Sequence, residues 1–114
     1  NGQHNMGDIK KITEELRKFR DERDWAQFHN PKDLALALSI EASELLELFL
    51  WKSAAEADAG KVKEELADVF AYAFMLADKY GLDVAQIMRD KLEKNNLKYP
   101  VDKDRGSAKK YNEL

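Results

Sequence analysis

The sequence predicts an all-α protein, a compact bundle of about four helices. Three observations carry this. Apolar residues recur at three- and four-residue intervals through most of the chain, no stretch of useful length alternates as a strand would, and helix-starting residues precede each apolar block. At 114 residues the chain is one domain by size, able to bury a core but without room for a separate regulatory domain.

Asp8 is placed to cap a first helix in which Ile9, Ile12, Leu16 and Phe19 form the apolar stripe, ending near Asp24. Residues 1–7 show no periodicity and read as a disordered or vector-derived leader ahead of a native start at Met6, leaving 8–100 as the helical domain and 101–114 as a polar tail. Arg23 to Pro31 must be a connection, because Pro31 disfavours helical geometry at Asn30. It carries two large aromatics and an imidazole, Trp25, Phe28 and His29. Asn30 as N-cap and Pro31 at the first helical position open a second helix running to about Lys52. That helix is apolar nearly all round, with Leu36, Ile40, Leu46 and Leu50 lying away from its Leu34, Leu45 and Leu48 stripe. A bundle of this size has trouble burying such a helix on every side, so part of it is expected to pack on another subunit.

Ser53 to Gly60 reads as a short connection, and a third helix from about Lys61 to Tyr80 is again broadly apolar, with Gly81 as its C-cap signal. Asp83-Val-Ala-Gln86 has the spacing of a capping box for a fourth helix, with Val84, Ile87, Met88 and Leu92 on its buried stripe and an end before Tyr99-Pro100. In the tail, Gly106 and Ser107 break any helical pattern.

Composition narrows the function. The formal charge of −3 argues against a general polyanion binder, so no nucleic-acid polymer is expected as partner. The absence of cysteine removes disulfides, thiolate metal sites and thiol nucleophiles and suits a reducing, cytoplasmic setting. No apolar run is long enough to span a membrane.

The pattern that carries chemistry is Glu41-x-x-Glu44 on the second helix, answered by Glu65-x-x-Asp68 on the third. Spacing of three puts each pair on one helix face. Acids ordinarily lie opposite an apolar stripe, whereas Glu41 and Glu44 share theirs with Leu34, Leu45 and Leu48, and Glu65 and Asp68 share theirs with Val69, Tyr72 and Leu76. If both stripes turn inward, four carboxylates meet in a poorly hydrated place, where ionisation is opposed unless a cation compensates. Oxygen donors on two rigid supports suit a hard divalent ion such as Mg²⁺, and phosphoryl transfer is the chemistry that uses one this way. Solvated acidic faces are the plain alternative for either pair alone. A di-iron bundle ordinarily needs Glu-x-x-His, which neither His4 nor His29 supplies.

Trp25, His29 and Trp51 have a core reading and a second one, stacking on a planar base beside the acids. Lys91, Lys94 and Lys98 are a solvated face by default and the candidates for phosphate contact if a triphosphate binds.

These blocks, Arg23-Asp-Trp-Ala-Gln-Phe-His29, Glu44-Leu-Leu-Glu-Leu-Phe-Leu-Trp-Lys52, Glu64-Glu-Leu-Ala-Asp68, Asn95 with Tyr99-Pro100, and Lys110-Tyr-Asn-Glu-Leu114, resemble the MazG-like all-α nucleoside triphosphate pyrophosphohydrolases, nearest the dCTP pyrophosphatase branch. The resemblance implies that Glu41, Glu44, Glu65 and Asp68 hold Mg²⁺ and assist deprotonation of the nucleophile. It implies that Trp25, His29 and Trp51 enclose the base, that Tyr72 lies near the sugar, and that Lys91 and Asn95 contact the phosphates. It further implies cleavage between the α- and β-phosphates to monophosphate and pyrophosphate, in nucleotide-pool cleaning, by a homodimer or homotetramer, the tetramer favoured, whose subunits complete one another's sites. The spacer between the two acidic pairs is shorter than in the dCTP enzymes. The rival reading is a non-enzymatic helical oligomerisation or antitoxin-like partner, with the acids serving as surface charge.

Overall fold

The computed structural model of the chain describes residues 7–101 and is helical throughout them, with no strand among the described residues. Four α-helices follow in order: α1 Asp8–Glu22, α2 Pro31–Glu47, α3 Ala59–Lys79 and α4 Val84–Lys98, with single 3₁₀ turns at Ala26–Phe28 and Ala54–Glu56. Of the expected leader at 1–7 and tail at 101–114, positions 1–6 and 102–114, including Lys110-Tyr-Asn-Glu-Leu114, lie outside the described residues.

Local chemistry accounts for each boundary. Gly7, not Asp8, occupies the cap position of α1, and Asp8 sits inside the first turn, where a carboxylate favours the exposed N–H groups. Asn30 caps α2 by accepting from the Asp33 N–H at 2.8 Å, with Pro31 next, as the sequence suggests. Asp58 accepts from Gly60 and Lys61 N–H groups at 2.9 and 3.3 Å and starts α3 two residues before the expected Lys61. Asp83 accepts from the Gln86 N–H at 3.0 Å to start α4, while the Gln86 amide donates to Asp90 at 2.8 Å. A reciprocal turn the sequence reading passed over closes at Ser53, whose N–H donates to Glu56 Oε1 at 2.7 Å.

The helix ends are as specific. Below α3, the Gly81 N–H bonds to the Asp78 carbonyl and the Leu82 N–H reaches back to that of Ala77, both at 3.0 Å, the two bonds of a Schellman motif, with Gly81 at φ 66°. α1 ends with the same pair of bonds, Asp24 to Asp21 and Trp25 to Arg20, but the left-handed residue is Asp24, at φ 54°. Gln27 steadies it by donating to both the carbonyl and the carboxylate of Asp24. The α-helical part of α2 stops at Glu47, five residues short of the expected end. Successive turns follow, Leu50 N–H to Glu47 and Lys52 N–H to Phe49, and place Trp51 at φ 62°.

The chain divides into two compact units, one ending at Leu82 and one beginning at Asp83. In the first, α3 is the central element, with α2 packed most extensively along it and α1 alongside. Leu34 of α2 with Met75 and Ala77 of α3 form the buried apolar centre, and Thr13 of α1 is buried with its hydroxyl donating to the Ile9 carbonyl at 2.8 Å. Arg17 of α1 lies 3.1 Å from Asp78 of α3, a half-exposed ion pair that adds orientation more than energy. The broad apolarity of α2 is visible as exposure: Leu36, Ile40, Leu46 and Leu50 all remain substantially open to solvent. Leu34 is 1% exposed on the helix that packs most extensively along α3, so opening that seam by Leu34→Ala should cost about 2–5 kcal/mol in chemical denaturation. A loss well below that range would mean that α2 and α3 do not rely on this seam.

Candidate metal and nucleotide site

Glu41 and Glu44 lie one turn apart on α2 and Glu65 lies on the facing side of α3, all three half-buried. One carboxylate oxygen from each falls within 4.8 Å of the others, a separation that a single ion can span. The cause is the one the sequence suggested, acids set into the apolar seam where α2 and α3 pack. The electrostatics record the consequence. Burial, then the charges of Glu44, Glu65 and Asp68, pushes the Glu41 carboxyl up from the ordinary 4.5 to about 7, and burial with Glu44 and Asp68 raises Glu65 as well. Glu65 Oε2 is buried and has no hydrogen-bond partner. Like charges crowded together around an unpaired buried oxygen, with only oxygen donors, fit a hard divalent cation.

Asp68 stands apart from that trio. It is exposed, one turn beyond Glu65, and its charge is felt by both raised carboxyls, but it lines a neighbouring cavity instead of joining the three ligand atoms. This cavity, about 380 Å³, lies between α1, the connection after it, and α3. Trp25, His29, Asp68 and Tyr72 all line it, so four of the expected site residues share one wall. The left-handed turn at Asp24 is what turns Trp25 back, fixed by its N–H bond to the Arg20 carbonyl at 3.0 Å. Trp25 also packs edge-on against Phe19, with ring centres 5.8 Å apart, and the Arg23 guanidinium covers Phe19 at 3.6 Å. Trp25 itself is 45% exposed, so it stands at the cavity wall and not in the core.

His29 is half-buried, and its Nδ1 is buried without a hydrogen-bond partner. Burial first, then the positive charges of Arg20 and Lys79, lowers its pKa, so the ring is neutral at neutral pH. Trp51 does not join the cavity. It is 100% exposed, on a backbone conformation that bulky residues adopt only at a cost. Lys91 is exposed and Asn95 half-buried on α4, where the Asn95 carbonyl accepts from the Tyr99 N–H; Lys98 lies 5.2 Å from the Tyr99 ring.

The sequence reading missed Arg20, whose side chain is only 12% exposed and which lines the cavity with Leu16, Phe19, Ala71 and Met75. The signal was available in the same form as for the acids. Thr13, Leu16 and Arg20 stand at i, i+3 and i+7, so this cation lies within the inward stripe of α1.

Comparison with known proteins identifies relatives of the whole helical domain. The chain is 42% identical to dCTP pyrophosphatase 1 of Rattus norvegicus, over 96% of this chain and 67% of the relative, and 38% identical to dCTP pyrophosphatase 1 of Homo sapiens over the same shares. The crystal structure of a pyrophosphatase from Archaeoglobus fulgidus superposes with a TM-score of 0.78 at 39% identity, covering 85% of this chain and 96% of that one. Residues 36–114, which include both acidic pairs, match the profile of the MazG-like family. With four helices, acids from α2 and α3 meeting at one point and this extent of identity, the chain belongs to the MazG-like family.

Proposed function

We propose that this protein is a Mg²⁺-dependent nucleoside triphosphate pyrophosphohydrolase that converts a deoxynucleoside triphosphate, dCTP or a close relative of it, to the monophosphate and pyrophosphate. The observation that carries this reading is the carboxylate trio of Glu41, Glu44 and Glu65, joined through Asp68 to an aromatic-walled cavity on the next turn of α3. A cluster of oxygen donors serves the phosphates, and a cavity with Trp25, His29 and Tyr72 in its wall serves the nucleoside. The names of the relatives support the reaction and the base.

In this reading Glu41, Glu44 and Glu65 would hold the ion, with Asp68 completing the set once its side chain swings from the cavity wall, and the ion would neutralise the phosphate oxygens and fix their orientation. A water oxygen bonds to phosphorus while the bridge between the α- and β-phosphates breaks. One carboxylate of the cluster takes the proton of the water, and pyrophosphate leaves with the bridging electrons. Trp25 and His29 hold the base, Tyr72 lies by the sugar, and Lys91 and Asn95 belong to the phosphates. The protein works as a homo-oligomer, dimer or tetramer, in the cytoplasm. Support for association comes from Leu36, Leu46, Leu50 and Phe28, large apolar groups left open on the isolated chain, and from Trp51, held fully exposed by a costly backbone conformation. Trp51 reaches a base only across such an interface or in a rearranged turn. Among the described residues no helix is long and apolar enough to cross a membrane.

The deciding experiment is product analysis with a panel of deoxynucleoside and ribonucleoside triphosphates, with Mg²⁺ and with chelator. Monophosphate plus pyrophosphate, formed only with Mg²⁺, is the expected result. No turnover of any nucleotide would instead favour the helical binding-partner reading. Glu44→Gln keeps the shape of the side chain and removes its charge, so it should lower kcat about a hundredfold or more while leaving the helical circular dichroism unchanged. Near-normal turnover would remove Glu44 from the metal site.

The raised carboxyls predict a pH effect on the metal-free protein. Between the ordinary 4.5 and about 7 the folded protein keeps a proton on Glu41 that the unfolded chain has released. Raising pH across that window therefore costs stability, the reverse of the usual carboxylate case. The melting temperature should fall on going from pH about 5 to about 8 in chelator, and Mg²⁺ should restore it at the higher pH far more than at the lower. An equal Mg²⁺ effect at both values would refute the assignment of these acids as ligands.

A further inference from the structure

The cavity contains one cation that the proposed chemistry does not use. Arg20 reaches its wall from the inward stripe of α1, with a side chain 12% exposed. Asp21 engages only its Nε, at 2.9 Å, and is itself largely solvated. Among the described residues this is the one side-chain hydrogen bond the guanidinium makes, so both terminal nitrogens keep their donors. Those nitrogens are open at the cavity, so a ligand seated there would take them out of water and must offer an acceptor in return.

Its position is also fixed relative to the aromatic wall. The Trp25 N–H donates to the Arg20 carbonyl at 3.0 Å, closing the Schellman turn, so the two residues are held in one register. His29, with its unpartnered Nδ1, lines the same cavity. A planar ring seated against Trp25 therefore meets two polar groups at its edge. An imidazole can give or take a hydrogen bond, but a guanidinium only gives, and its partner must be an acceptor.

We propose that Arg20 is the residue with which this cavity reads the base, by donating to a ring carbonyl oxygen, so that cytosine, thymine, uracil and guanine nucleotides are accepted over adenine. Adenine is the common base with no carbonyl, and seating it would take those donors out of water with no acceptor in return. An unpaired buried polar group is the most discriminating device available to a binding site, and it is worth about tenfold or more in affinity. This rests on the cavity being a nucleotide site, and it adds a rule for choosing among nucleotides that the acids cannot supply.

The test uses the full chain and reads binding as well as turnover. Quenching of tryptophan fluorescence would give Kd values for dCMP, dTMP, dGMP and dAMP with the natural protein, Arg20→Met and Arg20→Lys. The expected result is weaker binding of dAMP than of the other three by about tenfold or more in the natural protein. Arg20→Met should bring the four to near equality, weakening the three while dAMP binds as well as before or more tightly, which also shows that the variant is folded. Arg20→Lys should recover part of the preference. A uniform loss across all four would assign Arg20 to the phosphate or to the fold and overturn the proposal, as would unchanged values, a natural preference for dAMP, or no binding of any nucleotide. Turnover of the corresponding triphosphates is measured in parallel. If the natural protein binds with this ordering but cleaves none of them, the hydrolase reading fails and the base-reading role of Arg20 stands.

Discussion

The rest of the first unit depends on one constraint, that the seam between α2 and α3 contains carboxylates as well as leucines. Leu34 is almost completely buried in that seam, and Glu41 and Glu44 follow it on the same helix, so packing the apolar residues brings the acids inward with them. Facing them, Glu65 precedes Met75 and Ala77 on α3, the other two members of the buried centre. The hydrophobic contact positions the charges, and the charges oppose the contact, as the upward shifts of Glu41 and Glu65 record. A positive ion placed among these carboxylates would relieve that conflict.

The connection after α1 solves a different problem, placing aromatic side chains beside a helical bundle without lengthening it. Asp24 in a left-handed conformation reverses the chain within one residue, a 3₁₀ turn carries Phe28 to His29, and Asn30 with Pro31 restarts the helix. Glycine would adopt the conformation of Asp24 more readily, but Gln27 bonds to the Asp24 carboxylate as well as to its carbonyl, which glycine would forgo in part. The result is a cavity walled by α1, this connection and α3, with the Trp25 ring braced by Phe19.

Exposure on the isolated chain completes the account. The fully buried apolar centre is small, and much of the large apolar surface of α2 and its following turns is open. Leu36, Ile40, Leu46 and Leu50 contribute most of that open apolar surface. The strained, exposed conformation of Trp51 belongs with the same surface.

By itself, the sequence determined the class and order of the helices, the start signals at Asn30-Pro31 and Asp83, the C-terminal glycine of α3, and the unusual placement of acids within apolar stripes. All of these are local, written in spacing and in the hydrogen-bonding habits of individual residues. Only the tertiary structure decided that Glu41, Glu44 and Glu65 share a point while Asp68 turns to the cavity, because a face on a helix wheel does not specify the rotation of one helix against another. It decided likewise that α2 gives way to turns at Leu48, where broad apolarity suggested a longer helix, and that Trp51 stands clear of the cavity. Arg20 marks the boundary between the two kinds of information. Its inward register on α1 was legible from Thr13 and Leu16, but its meaning required the Trp25 turn to fold back across it.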